Sequence, residues 1–171
     1  RAGGALIAQT GLGIGNSVPA ATCFDLYNRG RADGCFLPTA VPGLSGVTAV
    51  KASWGKTYAI TTGGALKAWG STEVYGLGIG AGPYPAQCVD QDGLIICRAP
   101  VAVPGLASGV ATVQSHHFIG CVTTTAGRAR CWGTNQYGSV GVGLSTPPEC
   151  TDYTGDGFAD WCWTSAQVVG Y

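Results

Sequence analysis

The sequence predicts an all-β chain: a tandem series of small units, each of four short strands, stapled by disulfides and almost free of helix. Three observations predict it. The chain repeats itself, at a step of 62 residues from Val41 to Val103 and of 63 from Trp69 to Trp132. Its 29 glycines and nine prolines are scattered among β-branched and small apolar residues, a mixture that makes short strands and tight turns. Its eight cysteines are many for the length and even in number.

The repeat is visible residue by residue. VPGLSGVTAVKAS, from Val41, returns as VPGLASGVATVQS from Val103. TYAITTGGALKAWG, from Thr57, returns one residue longer as IGCVTTTAGRARCWG from Ile119. YGLGIG at Tyr75 returns as YGSVGVG at Tyr137, and GLGIG already stands at Gly11. In the middle unit the strands fall at about 38–42, 47–53, 58–62 and 65–69, with Gly63-Gly64 as the hairpin signal between the last two. No window sustains a 3.6-residue apolar period, so helix is not expected.

The 171 residues therefore read as one repeat array. Residues 1–36 form a partial unit with a stapled loop, 37–98 and 99–163 form units, and 164–171 are the first strand of a further unit. GGALIA at Gly3 matches GGALKA at Gly63 as an orphan last strand, and SAQVVGY matches PVAVPGL as an orphan first strand. Both ends then present unpaired edges, which are adhesive. A longer array, or head-to-tail association of copies into a ring or filament, is expected.

Charge narrows the function classes. The formal net charge is zero, 11% of residues are charged, and no basic face appears, which argues against nucleic acid or a membrane surface as partner. No apolar run reaches the roughly 18 residues of a membrane span, so membrane insertion is not expected. Methionine is absent even at position 1, no signal peptide is present, and a processed product or fragment is expected. The cysteines, with no C-x-x-C pair and with His116-His117 lying apart from them, read as disulfides rather than zinc ligands. An extracellular or cell-surface location follows from that reading.

Val41-Pro42-Gly43-Leu44, Trp69-Gly70, Tyr75-Gly76-Leu77-Gly78 and Cys131-Trp132-Gly133-Thr134-Asn135-Gln136-Tyr137-Gly138 together resemble the regulator-of-chromosome-condensation repeat, in its bacterial secreted, cysteine-containing variety. The resemblance covers nearly the whole chain apart from the cysteine loops. It implies a β-propeller whose blades are four-stranded antiparallel sheets. Complete members of that family close a ring of about seven blades, which this chain is too short to build.

Comparison of the units selects among the possible cysteine pairings. Cys23 and Cys35, Cys88 and Cys97, and Cys150 and Cys162 each bracket the loop that follows the glycine stretch. Cys121 and Cys131 lie on the two arms of one hairpin, and both are alanine, Ala59 and Ala68, in the preceding unit. A pair lost together is a pair in contact. Four local bridges are expected, each closing a short loop and contributing roughly 2–3 kcal/mol.

The third bracketed loop, CTDYTGDGFADWC, carries oxygen donors at Asp152, Thr154, Asp156, the Phe158 carbonyl and Asp160, with Gly157 at the turn. Calcium takes about six to eight hard oxygens, and this set with water could supply them. The pattern resembles the calcium loops of FG-GAP propellers, with Thr154 where asparagine is usual. An acidic solvated turn held by its disulfide is the other reading. In the first loop Arg29 stands between Asp25 and Asp33 in place of a central acid, so no calcium is expected there. The second, with Asp90 and Asp92 alone, is a weak candidate.

Trp69 and Trp132 share a repeat position and are expected to pack between units. Trp54, Trp161 and Trp163 have no such counterpart; Trp54 and Trp163 are the candidate contact residues for a partner. His116-His117 reads as a solvated pair at a turn. No G-x-S-x-G or other catalytic constellation is evident, and no enzymatic activity is expected. The expected function is a secreted structural or adhesive repeat protein, a filament subunit or part of a longer propeller array. A propeller module that binds other extracellular proteins, such as a secreted enzyme inhibitor, is the alternative. The nuclear exchange-factor role of the family's founder suits the disulfides poorly.

Overall fold

Alternating short apolar and polar runs punctuated by glycine leave the backbone one economical choice, antiparallel pairing between neighbours in sequence. A computed structural model describes residues 12–16, 19–26, 28, 30, 32–91 and 93–170. The described strands are β1 (Cys23–Phe24), β2 (Gly34–Cys35), β3 (Val47–Ser53), β4 (Lys56–Thr61), β5 (Leu66–Ser71), β6 (Cys88–Gln91), β7 (Leu94–Ala102), β8 (Val110–His116), β9 (Ile119–Thr124), β10 (Ala129–Thr134), β11 (Cys150–Thr151) and β12 (Trp161–Gln167). Among the described residues the helical content is one 3-10 turn, Glu73–Tyr75. The orphan strand read at Gly3 lies outside the described residues.

Two antiparallel sheets repeat the same topology. Their orders are β3-β4-β5-β7-β6 and β8-β9-β10-β12-β11, and β1-β2 form a separate ribbon. In each large sheet four strands make a blade. The last of them begins inside the stapled loop, where it pairs with a short fifth strand across the disulfide: Cys88 opposite Cys97, and Cys150 opposite Cys162. All eight cysteines are bridged, as Cys23–Cys35, Cys88–Cys97, Cys121–Cys131 and Cys150–Cys162.

The strand expected at 38–42 is absent. Its repeat counterpart, around Val101, is the end of β7 and pairs with β5 of the preceding unit, Val101 opposite Ala68. Likewise Ala166 and Gln167, read as the start of a further unit, continue β12 and pair with Cys131 and Arg130. Each blade thus runs across the boundary drawn from the repeat. The chain leaves the cystine loop already extended along the sheet and continues in the same strand.

The main core lies between the two large sheets. Tyr58 and Leu66 of the first meet Val113, Val122 and Trp132 of the second, all nearly inaccessible. The V-P-G-L turn closes this core from above: Val103 and Leu106 are buried, and Leu106 accepts a hydrogen bond from the Leu66 amide at 2.9 Å. A second cluster, around Val140, Val142 and Ala166, fills the far side of the second sheet.

Candidate functional site

The repeated Trp-Gly pair explains how one blade seats on the next. In both sheets the register slips at the tryptophan, between Ala68 and Gly70 and between Cys131 and Gly133. Such a bulge re-aims the side chain it carries. The glycine that follows has φ +107 at Gly70 and +103 at Gly133, and a Cβ there would strike the carbonyl of Gly55 or Phe118. The released indole of Trp69 lies against Gly13, and that of Trp132 against Gly78, in the Gly-x-Gly stretch of the preceding unit. Trp132 Nε1 donates to the Gly76 carbonyl at 3.1 Å and to Tyr58 Oη at 3.3 Å, while Tyr58 donates to the same carbonyl. Full burial pushes the Tyr58 phenol up, against a smaller opposing effect of the Trp132 N–H, so it stays a donor. An equivalent backbone bond occurs at both junctions: the Gly15 amide donates to Arg98 O at 2.8 Å, and the Gly80 amide to Trp163 O at 2.9 Å.

On one end of the blades aromatic side chains gather at the turns. Trp54 and His117 are equivalent first residues of two-residue turns, each at positive φ (34° and 38°). Their rings stack at 4.6 Å, linking the two turn tips. Lys56, 2% exposed, donates from Nζ to the His117 carbonyl and lies 5.6 Å from the Phe118 ring centroid. Burial lowers its pKa to about 8, against the opposing pull of Glu73. Further along, Tyr75 packs against Trp161 and Trp163 at 6.1 and 6.3 Å, and Tyr153 stacks on Trp161 at 5.5 Å. Phe118, Thr134, Gln136, Tyr153, Thr154, Asp160 and Trp161 line an open cleft of ≈ 380 Å³.

Of the two candidate contact residues, Trp54 is exposed, at 59%. Trp163 is half-buried, occupied by Tyr75 and by its carbonyl's bond to Gly80. His116 and His117, expected to be a solvated pair at a turn, are both exposed there, and His117 also makes an inter-blade ring contact. Its signal lay in the alignment of Ser53-Trp54-Gly55-Lys56 with His116-His117-Phe118-Ile119.

The acidic loop is arranged around its own backbone. Asp152 accepts the Gly155 and Gly157 amides at 2.6 and 2.7 Å. Asp156 accepts the Phe158 amide at 3.0 Å. Asp160 Oδ2 accepts the Tyr153 and Thr154 amides at 2.7 and 2.9 Å and the Thr154 hydroxyl at 3.3 Å. The Thr154 amide foremost, together with the other two donors, holds the Asp160 carboxyl below its usual range. Each carboxylate thus faces N–H donors, which present the same positive polarity to it that a cation would. Among the described residues no three acidic, histidine or cysteine side chains come together as a metal site. This donor set makes an amide-capped turn. In the first loop Asp25 does the same, accepting the Gly30 amide at 2.6 Å. Arg29 and Asp92 lie outside the described residues.

Stacked four-stranded antiparallel blades with a Trp-Gly bulge seated on a glycine stretch define an RCC1-type repeat fold. Solved structures with this fold include yeast RCC1 (Prp20) bound to Kap60, at a TM-score of 0.58 and 15% identity over 84% of this chain and 29% of that one. Prp20p from Saccharomyces cerevisiae, solved in work that also treats its binding to Gsp1p and histones, gives 0.52 and 15% over 75% and 28%. Human WBSCR16 gives 0.52 and 15% over 86% and 31%. In sequence, the E3 ubiquitin-protein ligase HERC2 of Homo sapiens and of Mus musculus is 30% identical over 120 residues, 68% of this chain. The chain spans 2% of the length of those curated relatives and less than a third of the solved chains. No protein-family model matches.

Proposed function

We propose that this chain is a secreted, non-enzymatic, protein-binding repeat module whose contact surface is the aromatic end of its blades. The observation that carries the reading is the placement of Trp54, His117 and Tyr153 on turns and loops, and of Trp161 at the very start of β12, rather than in the core. Tryptophan and tyrosine bury much area with little entropy to lose, the property that makes them interface anchors. Four disulfides within local loops suit an oxidising, extracellular setting. Proteins of this fold bind protein partners, as yeast RCC1 binds Kap60.

A structural or adhesive role, with head-to-tail association into a filament, is the second reading. It is favoured by β3, an edge strand exposed on nearly its whole length, with Val47 and Val50 at 40% and 59%. Sedimentation of the oxidised protein separates the two. A monomer whose partner binding falls on Trp54→Ala supports the first; large assemblies dispersed by Val50→Lys support the second and overturn the first.

A further inference from the structure

We propose that the cleft walled by Phe118, Tyr153 and Trp161 and edged by Asp160 receives a cationic side chain, an arginine, from a protein partner. The inference deepens the protein-binding reading and rests on it.

The first observation is the distribution of charge. Residues 131–171 hold Glu149, Asp152, Asp156 and Asp160 and no lysine or arginine, a net of −4; all nine basic residues lie within 1–130. The zero total conceals this separation along the chain, and carboxylates beside low-dielectric walls concentrate cations before contact.

The second is the state of Asp160. Three donors fix Oδ2, while Oδ1 has no hydrogen bond among the described residues. One oxygen is anchored and the other is available. A carboxylate held this way meets a guanidinium without first losing rotamer freedom. Gln136, exposed and also without a hydrogen bond among the described residues, offers a carbonyl acceptor at the same cleft.

The third is the walls. Trp161 and Tyr153 are stacked with an interplanar angle of 29°, and Tyr153 is 78% exposed. Aromatic faces attract cations, and a planar guanidinium stacks on them as an ammonium does not. Phe118 already neighbours one cation of the chain, Lys56, which is sequestered between the blades at 2% exposure. A saccharide would use the same rings, yet gains nothing from the charge separation or from a carboxylate kept ionised.

The test uses the whole oxidised chain, 15N-labelled, and the Trp161 indole N–H resonance. It is titrated with blocked arginine, blocked lysine, blocked citrulline (the uncharged isostere) and a neutral disaccharide. Saturable shifts with arginine, weaker with lysine and lost with citrulline, are expected. Asp160→Asn should weaken arginine binding by about tenfold or more, the size of one charge-assisted hydrogen bond. Tyr153→Ala, at an exposed position that folding tolerates, should weaken it at least threefold and serves if Asp160→Asn does not fold. Equal response to arginine and citrulline, a response to the disaccharide alone, or no response to any probe overturns the proposal. If a partner is captured through Trp54 while arginine gives no response, the protein-binding reading stands and the arginine site falls.

Discussion

Replacing Gly78 with alanine tests the seat on which Trp132 holds two blades together. Gly78 has φ +70, and a Cβ there would lie 2.8 Å from the indole ring of Trp132, closer than real Cβ contacts. Two costs arise. A side chain in the left-handed region costs roughly 1–2 kcal/mol, and forcing a methyl into a packed site adds about 1–3 kcal/mol. Gly138 isolates the first cost, because it has the same φ of +70 and nothing within 4 Å of its Cβ position. Gly78→Ala should therefore lose about 2–5 kcal/mol and Gly138→Ala only the strain of roughly 1–2 kcal/mol. Urea unfolding of both variants with disulfides intact measures the difference. On a Trp132→Phe background the excess cost of Gly78→Ala should shrink, since the two residues touch and their effects cannot add. Equal losses at Gly78 and Gly138, or additivity with Trp132→Phe, would refute the seat as the element that joins the blades.

Three further outcomes follow from other parts of the molecule. Adding calcium or a chelator should leave the melting temperature unchanged, because the carboxylates of the third loop already accept amides; stabilisation by calcium, lost in Asp156→Ala, would establish a metal loop. Replacing Cys121 and Cys131 together with alanine, the residues of the preceding unit, should cost roughly 2–3 kcal/mol in denaturant unfolding and leave the other three bridges in place. Lys56, whose pKa falls from 10.5 unfolded to about 8 folded, binds a proton more readily in the unfolded chain, so its contribution to stability rises with pH from about 8 towards 10. Stability of Lys56→Met should lack that rise, measured against wild type across the same window.

Much of this fold is legible in the sequence because its turns are written in glycine. The Gly63-Gly64 hairpin lies where β4 and β5 meet, and the paired loss of Cys121 and Cys131 at Ala59 and Ala68 identifies neighbours across a hairpin. The blade boundary was not legible. A repeat fixes the period but not which neighbour a strand hydrogen-bonds, so PVAV reads equally as the start of one unit or the end of the last. The stacked turn tips were hidden for a related reason. Trp54 and His117 differ in type, and only their common place after β3 and β8 makes them partners. In the third loop, spacing placed acids at the right intervals for a cation, but it does not encode direction. Glycine at 155 and 157 turns two amides inward, and Asp152 accepts both.

The tryptophan seats and the cystine brackets occupy different parts of each blade. The brackets span nine residues in one unit and twelve in the others, yet Trp69 and Trp132 meet their glycines in the same manner. Length and chemistry at the rim can therefore drift in any single repeat while the way repeats join stays constant. Such a chain can acquire a new target by rewriting one bracket, with no renegotiation of its scaffold.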